Sequence, residues 1–240
     1  MTDPHSLHVH DDAAPASVPV LIDRGLRAYM LGVYNFMAGG LALTGLVAYV
    51  GVATGFYASI AGTPIFWIVL FAPLAIVLFL GFRIQSMSLT TARFSFWLYA
   101  ALVGLSLSGV FIVYTGESIA RVFFISAATF AAMSLFGYTT RADLSRFGSF
   151  LVMGLVGIVI AGLVNLFLAS SALQFAISVI GVIIFIGLTA YDTQRIKAIY
   201  VEGDDEATAG KKAIMGALAL YLDFLNLFLL LLQLLGDRRR

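Results

Sequence analysis

One acidic residue of this sequence lies where a charged side chain is costly. Asp223 is ten residues past the start of an apolar segment, 213–235, which is long enough to cross a membrane as a helix. At about 1.5 Å per residue it lies roughly 15 Å along that helix. An ionised aspartate at such a depth costs about 2.5–3.5 kcal/mol on insertion scales, and it persists when it faces protein or water and has a partner. Asp223 is therefore a candidate ion or proton site. The alternative is a structural hydrogen bond to another helix.

Small and polar residues share one side of the segment 213–235. At about 100° per residue, the arc of roughly 100° that contains Asp223 also holds Gly216, Ala219, Asn226 and Gln233. The other faces carry leucine and phenylalanine. We expect this stripe to face the interior of a helix bundle, with Asn226 as a supporting polar group.

A second aspartate could be the partner of Asp223. Asp192 ends the preceding apolar segment, 173–192, whereas the other eleven acidic residues lie in the N-terminal segment, in loops or in the C-terminal tail. The segment with Asp192 ends on the side of the membrane where the segment with Asp223 begins, so the two side chains can meet if the helices are neighbours. Two alternatives for Asp192 remain open: a carboxylate in water at the membrane surface, or an ion pair with Arg195 three residues further on.

A pair formed by Asp192 and Asp223 could bind a proton or a cation. Two carboxylates held close together in a low-dielectric setting cannot both ionise cheaply, so they share a proton and titrate as a coupled pair. The shared proton would hold the two helices together, and its loss would separate them. Carboxylate oxygens with backbone carbonyls also suit a hard cation such as Ca²⁺. The sequence predicts a pH-sensing gate and candidate calcium site, and leaves open whether the flux is a passive leak or coupled antiport.

The elements that position these side chains are predicted to be membrane helices. Of the 240 residues, 61% are hydrophobic and 11% are charged, compared with about 25% charged in a typical soluble domain. The apolar runs are continuous and do not alternate as barrel strands do. The absence of cysteine excludes disulfides and thiol catalysis. Seven segments have the length of a spanning helix: 28–51, 64–83, 94–115, 119–138, 148–169, 173–192 and 213–235.

The basic residues orient these segments. With the N-terminus in the cytoplasm, four basic residues lie outside, namely Arg121 and the three arginines at 238–240, and ten lie inside. The ten are Arg24, Arg27, Arg83, Arg93, Arg141, Arg146, Arg195, Lys197, Lys211 and Lys212. The positive-inside rule therefore favours a cytoplasmic N-terminus. Seven crossings put the C-terminus outside, which conflicts with the positive-inside rule because residues 238–240 are arginines. A last segment that entered the membrane and returned without crossing would remove this conflict.

The first residues of the chain form a different region. Residues 1–23 are mostly polar and lack the basic start and apolar core of a secretory signal. We expect a disordered cytoplasmic tail, followed by a single membrane domain over residues 24–240.

At its aspartates the sequence resembles the Bax inhibitor-1 family, the transmembrane Bax inhibitor motif proteins, in its bacterial branch. The resemblance covers about residues 24–236, and its most specific motifs are YDTQRIK at 191–197 and LYLDFLNLF at 220–228. Supporting motifs are VYNFMAGGL at 33–41 and FGYTT at 136–140. The two aspartate motifs together are specific, whereas the glycine-rich ones alone would be weak.

The resemblance implies an all-α fold in which six membrane helices surround a central seventh. It maps the family's pH-sensing pair onto Asp192 and Asp223, and the arginine that engages this pair from the second helix onto Arg83. A lipid-headgroup anchor is the alternative role of Arg83. The resemblance also implies a pH-sensitive calcium leak, cytoprotection in eukaryotic relatives, and interaction with a membrane protease in some bacterial ones. The second segment has Ala72-Pro73 where some relatives carry a further acid, which puts a second acidic site in doubt.

Two other functions were weighed against an ion pathway. An intramembrane aspartyl protease also uses one aspartate on each of two helices, but its Gly-x-Gly-Asp motif is replaced here by LYLD at 220–223. All three histidines lie in the first ten residues, so histidine-dependent hydrolases are excluded as well. We expect no enzymatic activity and no bound cofactor. The second function is a membrane-embedded regulator of another membrane protein, such as a protease, with the N-terminal tail as its docking segment.

Overall fold

The computed structural model describes residues 18–239, with side chains from Arg24 onward, and this part of the chain is built from α-helices. They are α1 (Val18–Ala53), α2 (Phe56–Ile60), α3 (Pro64–Arg83), α4 (Leu89–Ser106), α5 (Ser108–Val113), α6 (Gly116–Thr139), α7 (Ser145–Leu168), α8 (Ser171–Ala198) and α9 (Glu206–Leu235). Within the described residues, seven stretches are long and apolar enough to cross a membrane, with α4 and α5 together forming the third. The predicted number and order of spans are confirmed.

Six of the seven spanning helices begin earlier than the sequence predicted, and the differences are largest for α1 and α9. The described part of α1 already begins at Val18, inside the predicted tail of residues 1–23, and residues 1–17 of that tail lie outside the described residues. Helix α9 begins at Glu206, seven residues before the predicted start, and the Asp205 side chain caps it by accepting a hydrogen bond from the Ala207 amide at 3.2 Å. Hydropathy locates only the apolar part of a helix. The polar first turns of α9 therefore gave no signal.

Helix α9 is the central element of the bundle. It packs against α8, α1, α6 and α4. In an apolar stretch of 18 residues within α9, 56% of the residues are buried, compared with 39% in α8 and 6% in α7. Tyr221 anchors its middle, because the hydroxyl bonds to Thr44 Oγ1 of α1 at 2.6 Å and Thr44 in turn donates to the Ala100 carbonyl of α4 at 2.9 Å. The central position expected for the last helix is confirmed.

The C-terminal residues show that α9 crosses the whole bundle. The Thr115 amide donates to the Asp237 carbonyl at 3.0 Å, and the Arg239 amide donates to the Val113 carbonyl at 2.8 Å. Arg121 adds an ion pair with Asp237 at 2.8 Å. The tail is thus fixed to the α5–α6 connection. We call this side the C-terminal face, and the side that holds the start of α1 and the α8–α9 loop the N-terminal face. An entering and returning last segment is excluded by this arrangement.

Two glycines allow α8 to approach its neighbours closely. A Cβ on Gly137 of α6 would collide with the Ala190 carbonyl oxygen of α8, and a Cβ on Gly216 of α9 would lie 2.9 Å from Ile196 Cγ2. Small residues permit this proximity where lipid gives helices no hydrophobic reason to associate. The result is that α8 lies directly against both α6 and α9.

Candidate functional site

The antiparallel packing of α8 and α9 brings Asp192 and Asp223 together. Their carboxyl groups lie close enough to interact electrostatically. Asp223 is only 4% exposed, whereas Asp192 is partly buried six residues before the end of α8. The pair therefore lies between two membrane helices, on the side of the bundle that leads to the N-terminal face.

The surroundings of Asp223 supply too few donors for an ionised pair. Its Oδ2 atom is buried and receives no hydrogen bond from the described part of the protein. A hydrogen bond between two carboxyl groups requires that one of them carries a proton, since ionised carboxylates only accept. A single shared proton would satisfy the buried oxygen, and two ionised groups at this distance would repel each other. The geometry fits a pair that holds one proton.

The basic residues considered as partners lie apart from the pair. Arg195 is exposed near Asp192 and attracts it electrostatically, but it forms no ion pair with that residue within 4.0 Å among the described side chains. Arg83 is exposed at the end of α3, where it has no ion pair among the described residues either. Helix α3 packs on α4, which packs in turn on α9. The Gln85 carbonyl, two residues after Arg83, accepts a hydrogen bond from Lys211 of α9 at 3.2 Å, so the end of α3 lies near the start of α9. The role of Arg83 as counter-ion stays a prediction.

The residues of the predicted polar stripe on α9 do not share one environment. Gly216 and Asp223 are buried against α8, in agreement with the expected inward face. Asn226 is half-buried, and its amide donates to the Leu222 carbonyl of its own helix at 2.8 Å. Asn226 therefore satisfies the helix backbone and does not reach the aspartates.

A chain of hydroxyl groups next to the pair was missed from sequence. The Tyr34 hydroxyl of α1 bonds to Ser134 Oγ of α6 at 2.6 Å, and Ser134 bonds to Thr193 Oγ1 of α8 at 3.0 Å. Thr193 also donates to the Thr189 carbonyl at 2.7 Å. These contacts fix the rotation of α8 at the residue that follows Asp192. Tyr34 and Thr193 belong to the conspicuous motifs, but no spacing rule links residues on three separate helices.

The loop between α8 and α9 is tied down over the N-terminal face. Lys212 of α9 forms an ion pair with Asp204 at 2.5 Å and donates to the Ile199 carbonyl at 3.1 Å. The Tyr200 ring packs against Tyr29 of α1, with 5.5 Å between ring centroids. The loop therefore joins the ends of three helices on the side towards which the aspartate pair lies.

A second polar cluster lies at the other end of the α8–α9 interface. Gln174 of α8 donates to Gln233 Oε1 of α9 at 2.6 Å, and Ser178 donates to the same oxygen at 2.9 Å. Asn165 of α7 joins the cluster through an amide hydrogen bond to Gln174 at 3.1 Å. These residues, which we call the amide cluster, line a recess of about 570 Å³ at the C-terminal face.

The acidic donors available to a cation are limited to the pair itself. No group of three or more histidine, cysteine or acidic side chains with metal-binding geometry exists among the described residues. Ca²⁺ takes six to eight oxygen ligands. Two carboxyl groups can therefore supply only part of its coordination shell, which suits a passing ion better than a stored one.

The described helices and the carboxyl pair define a polytopic α-helical membrane protein with a titratable site inside the bundle. The family model described as inhibitor of apoptosis-promoting Bax1 matches residues 26–240. The chain belongs to this family, the Bax inhibitor-1 family, as the resemblance at the two aspartate motifs predicted.

Bacterial relatives match nearly the full length of the chain. An inner membrane protein of Escherichia coli K12, YbhL, is 46% identical over 233 residues, which cover 95% of this chain and all of the relative. A protein of Rickettsia prowazekii is 50% identical over 218 residues, covering 90% of this chain and 92% of the relative. A third, from Caulobacter vibrioides, is 46% identical over 231 residues, covering 91% and 92%. These relatives support an integral membrane protein of the bacterial type.

Proposed function

We propose that this protein is a pH-sensitive cation pathway with calcium as its cargo, and that the Asp192–Asp223 pair is both gate and sensor. The observation that carries the proposal is the buried carboxyl group of Asp223 next to that of Asp192, with an Oδ2 atom that has no hydrogen-bond partner among the described residues. An ionisable group held inside a membrane bundle marks an ion or proton pathway by default. In this proposal the chain moves ions and catalyses no reaction.

Apolar side chains follow the aspartates on both helices, in the direction of the C-terminal face. Leu188 of α8 and Leu227 of α9 are 4% and 0% exposed. A hydrophobic constriction of this kind blocks ions because it excludes water. A cation can pass only after α8 and α9 have moved apart, so a device that controls their separation controls the flux.

The shared proton would be that device. With one proton, the carboxyl groups hydrogen-bond and hold α8 to α9. When the proton leaves, two adjacent negative charges repel each other, the helices separate, and the free carboxylates become ligands for a passing cation. The expected flux therefore rises with increasing pH.

The proposed location is the bacterial inner membrane, with the N-terminus in the cytoplasm. The ten basic residues assigned to the N-terminal face outnumber the four on the other face, which is the bias expected of a cytoplasmic surface. The name of the E. coli relative, an inner membrane protein, supports the same compartment. In this orientation the pair and the α8–α9 loop lie towards the cytoplasm.

Calcium-loaded liposomes test the gate through two substitutions at one position. Asp223→Asn keeps a donor for Asp192, so its flux should stay low at every pH. Asp223→Ala removes the contact, so its flux should stay high at every pH. Asp237→Asn, an exposed aspartate at the C-terminal face, is the matched control and should retain the wild-type pH response. A wild-type response in Asp223→Asn would reject the gate.

A regulatory role, with a membrane protease as partner, remains a prediction from the sequence. Residues 1–17 of the tail on which it depends lie outside the described residues. Deleting residues 1–22 separates the two functions, since a leak should keep its flux whereas a regulator should lose its partner.

A further inference from the structure

A groove runs between α1 and α6, and α9 contributes to its floor in two of its three parts. It consists of three adjoining recesses of about 610, 460 and 320 Å³. The first and second share Met37 and Phe130, and the second and third share Gly45 and Phe123. We call this feature the α1–α6 groove.

The length of the groove matches the hydrocarbon layer of a membrane. Along α1 its lining extends from Arg27 to Ala48, which is roughly 32 Å at 1.5 Å per residue. The hydrocarbon core of a bilayer is about 30 Å thick. Phe224 and Phe228 of α9 form part of the floor, so the groove follows the central helix through the apolar part of the bundle.

The end of the groove at the N-terminal face is polar and basic. Arg27 lines it and is exposed, without an ion pair among the described residues. The hydroxyl-bearing residues Tyr34, Ser134 and Tyr138 line the same recess. Lys197 lines none of the recesses, but its Nζ lies 4.8 Å from the ring centroid of Tyr138 and donates to the Tyr138 carbonyl at 2.9 Å, so a second positive charge lies near this end. Among the side chains that the structure describes, from Arg24 onward, no carboxylate lines any of the three recesses.

We propose that the α1–α6 groove binds one acyl chain of an acidic phospholipid, with the lipid phosphate at Arg27. The apolar length accommodates the chain, and the basic end complements the charge of the headgroup, where each nearby basic residue contributes to the attraction. The groove cannot enclose a partner helix, because a 20-residue helix 10–12 Å across occupies roughly 2,400–3,400 Å³. This exceeds the volume of the three recesses together. The binding depends on neither ion flux nor the charge of the aspartate pair.

Two exposed glycines provide a test substitution in the groove and a matched control outside it. A Cβ on Gly45 would meet no atom within 4 Å, although this residue lines two of the recesses. Gly157 on the exposed side of α7 has equally open surroundings and lines none of the three recesses. Gly45→Leu is therefore the test variant and Gly157→Leu its matched control, since both make the same change within a helix.

Native mass spectrometry of the purified full-length chain, titrated with phosphatidylglycerol or phosphatidylcholine of the same chain length, measures the binding. The wild type and Gly157→Leu should retain one phosphatidylglycerol in preference to phosphatidylcholine. Gly45→Leu should weaken retention about tenfold, because its side chain displaces methylene groups from the groove. Arg27→Gln should lower only the preference for phosphatidylglycerol, by about fivefold.

Two results would overturn the proposal. If the wild type retains the two lipids equally, and Gly45→Leu does not change this retention, the bound lipid is unspecific lipid of the surrounding shell. A dimer that Gly45→Leu abolishes would assign the groove to a second copy of the chain. Circular dichroism of each variant confirms that the helices are intact.

Discussion

The two ends of the α8–α9 interface both carry polar side chains, but they satisfy them differently. At the C-terminal face, Gln174 and Ser178 both donate to Gln233 Oε1, at 2.6 and 2.9 Å. These groups are neutral, and their hydrogen bonds do not depend on pH in the physiological range. Towards the N-terminal face, Asp192 and Asp223 lie together, and Asp223 Oδ2 has no donor among the described residues unless the pair holds a proton.

This difference indicates which end of the interface can move. A neutral, mutually satisfied cluster fixes two helices permanently, whereas a carboxyl pair attracts or repels according to its protonation. We infer that the amide cluster acts as the hinge and the aspartate pair as the latch of the same helix pair. Four predictions test this division, in order of decreasing effect.

The largest effect is expected when the aspartates are replaced, and it should be the same for either one alone as for both. Asp192→Asn and Asp223→Asn should each abolish the pH response of the liposome flux. The double variant should cause no further loss, because the two groups titrate as a unit. Calcium flux measured across pH for the wild type, the two single variants and the double variant shows directly whether the two carboxyl groups titrate together. Additive, partial losses would show two independent titrating groups.

A bulky side chain near the aspartate pair should separate α8 from α9 without any change of charge. Gly216 lies two helical turns before Asp223, and a Cβ at this position would already lie 2.9 Å from Ile196 of α8. Gly216→Leu should therefore push α9 away from α8 and raise the flux at low pH towards the high-pH level. Gly157→Leu is the control for the substitution itself. If the low-pH flux of Gly216→Leu equals that of the control, helix separation does not set the flux.

A substitution in the amide cluster should affect stability and leave the pH response intact. Gln233→Leu removes the common acceptor of Gln174 and Ser178, which should cost about 1 kcal/mol. The midpoint of thermal unfolding in detergent should fall, compared with the exposed control Gln85→Leu. A loss of the pH response in Gln233→Leu would contradict the separation of hinge and latch.

The smallest effect is expected at the N-cap of α9. A hydrogen bond from the Thr208 side chain, with further backbone hydrogen bonds from Thr208 and Ala207, lowers the pKa of Asp205 below its ordinary value of 3.8. The cap therefore stabilises the fold above that value, and the contribution is lost as the pH falls through the lowered pKa. Asp205→Ala should slightly lower the unfolding midpoint at neutral pH, and the difference from wild type should vanish in strong acid. A constant difference at all pH values would exclude the charged cap as its cause.

The sequence predicted the parts of this protein that follow from local composition. Continuous apolar runs located the seven spans, and the cost of a buried charge singled out Asp223. The polar start of α9 and the hydroxyl chain through Ser134 could not be predicted, because neither changes the hydropathy of its segment. Arg83 was assigned through a resemblance, and it forms no ion pair among the described residues, so its role as counter-ion stays a prediction. The α1–α6 groove depends on how distant helices pack, which no local pattern encodes.

The central claim is that Asp192 and Asp223 share one proton, and infrared difference spectroscopy tests it most directly. The carbonyl stretch of a protonated carboxyl group is recorded across pH for the wild type, Asp192→Asn and Asp223→Asn in lipid. We expect a band with the intensity of one protonated carboxyl group per chain. It should disappear as the pH rises and be absent from both variants. Wild-type spectra that coincide with those of Asp223→Asn at every pH would contradict the claim.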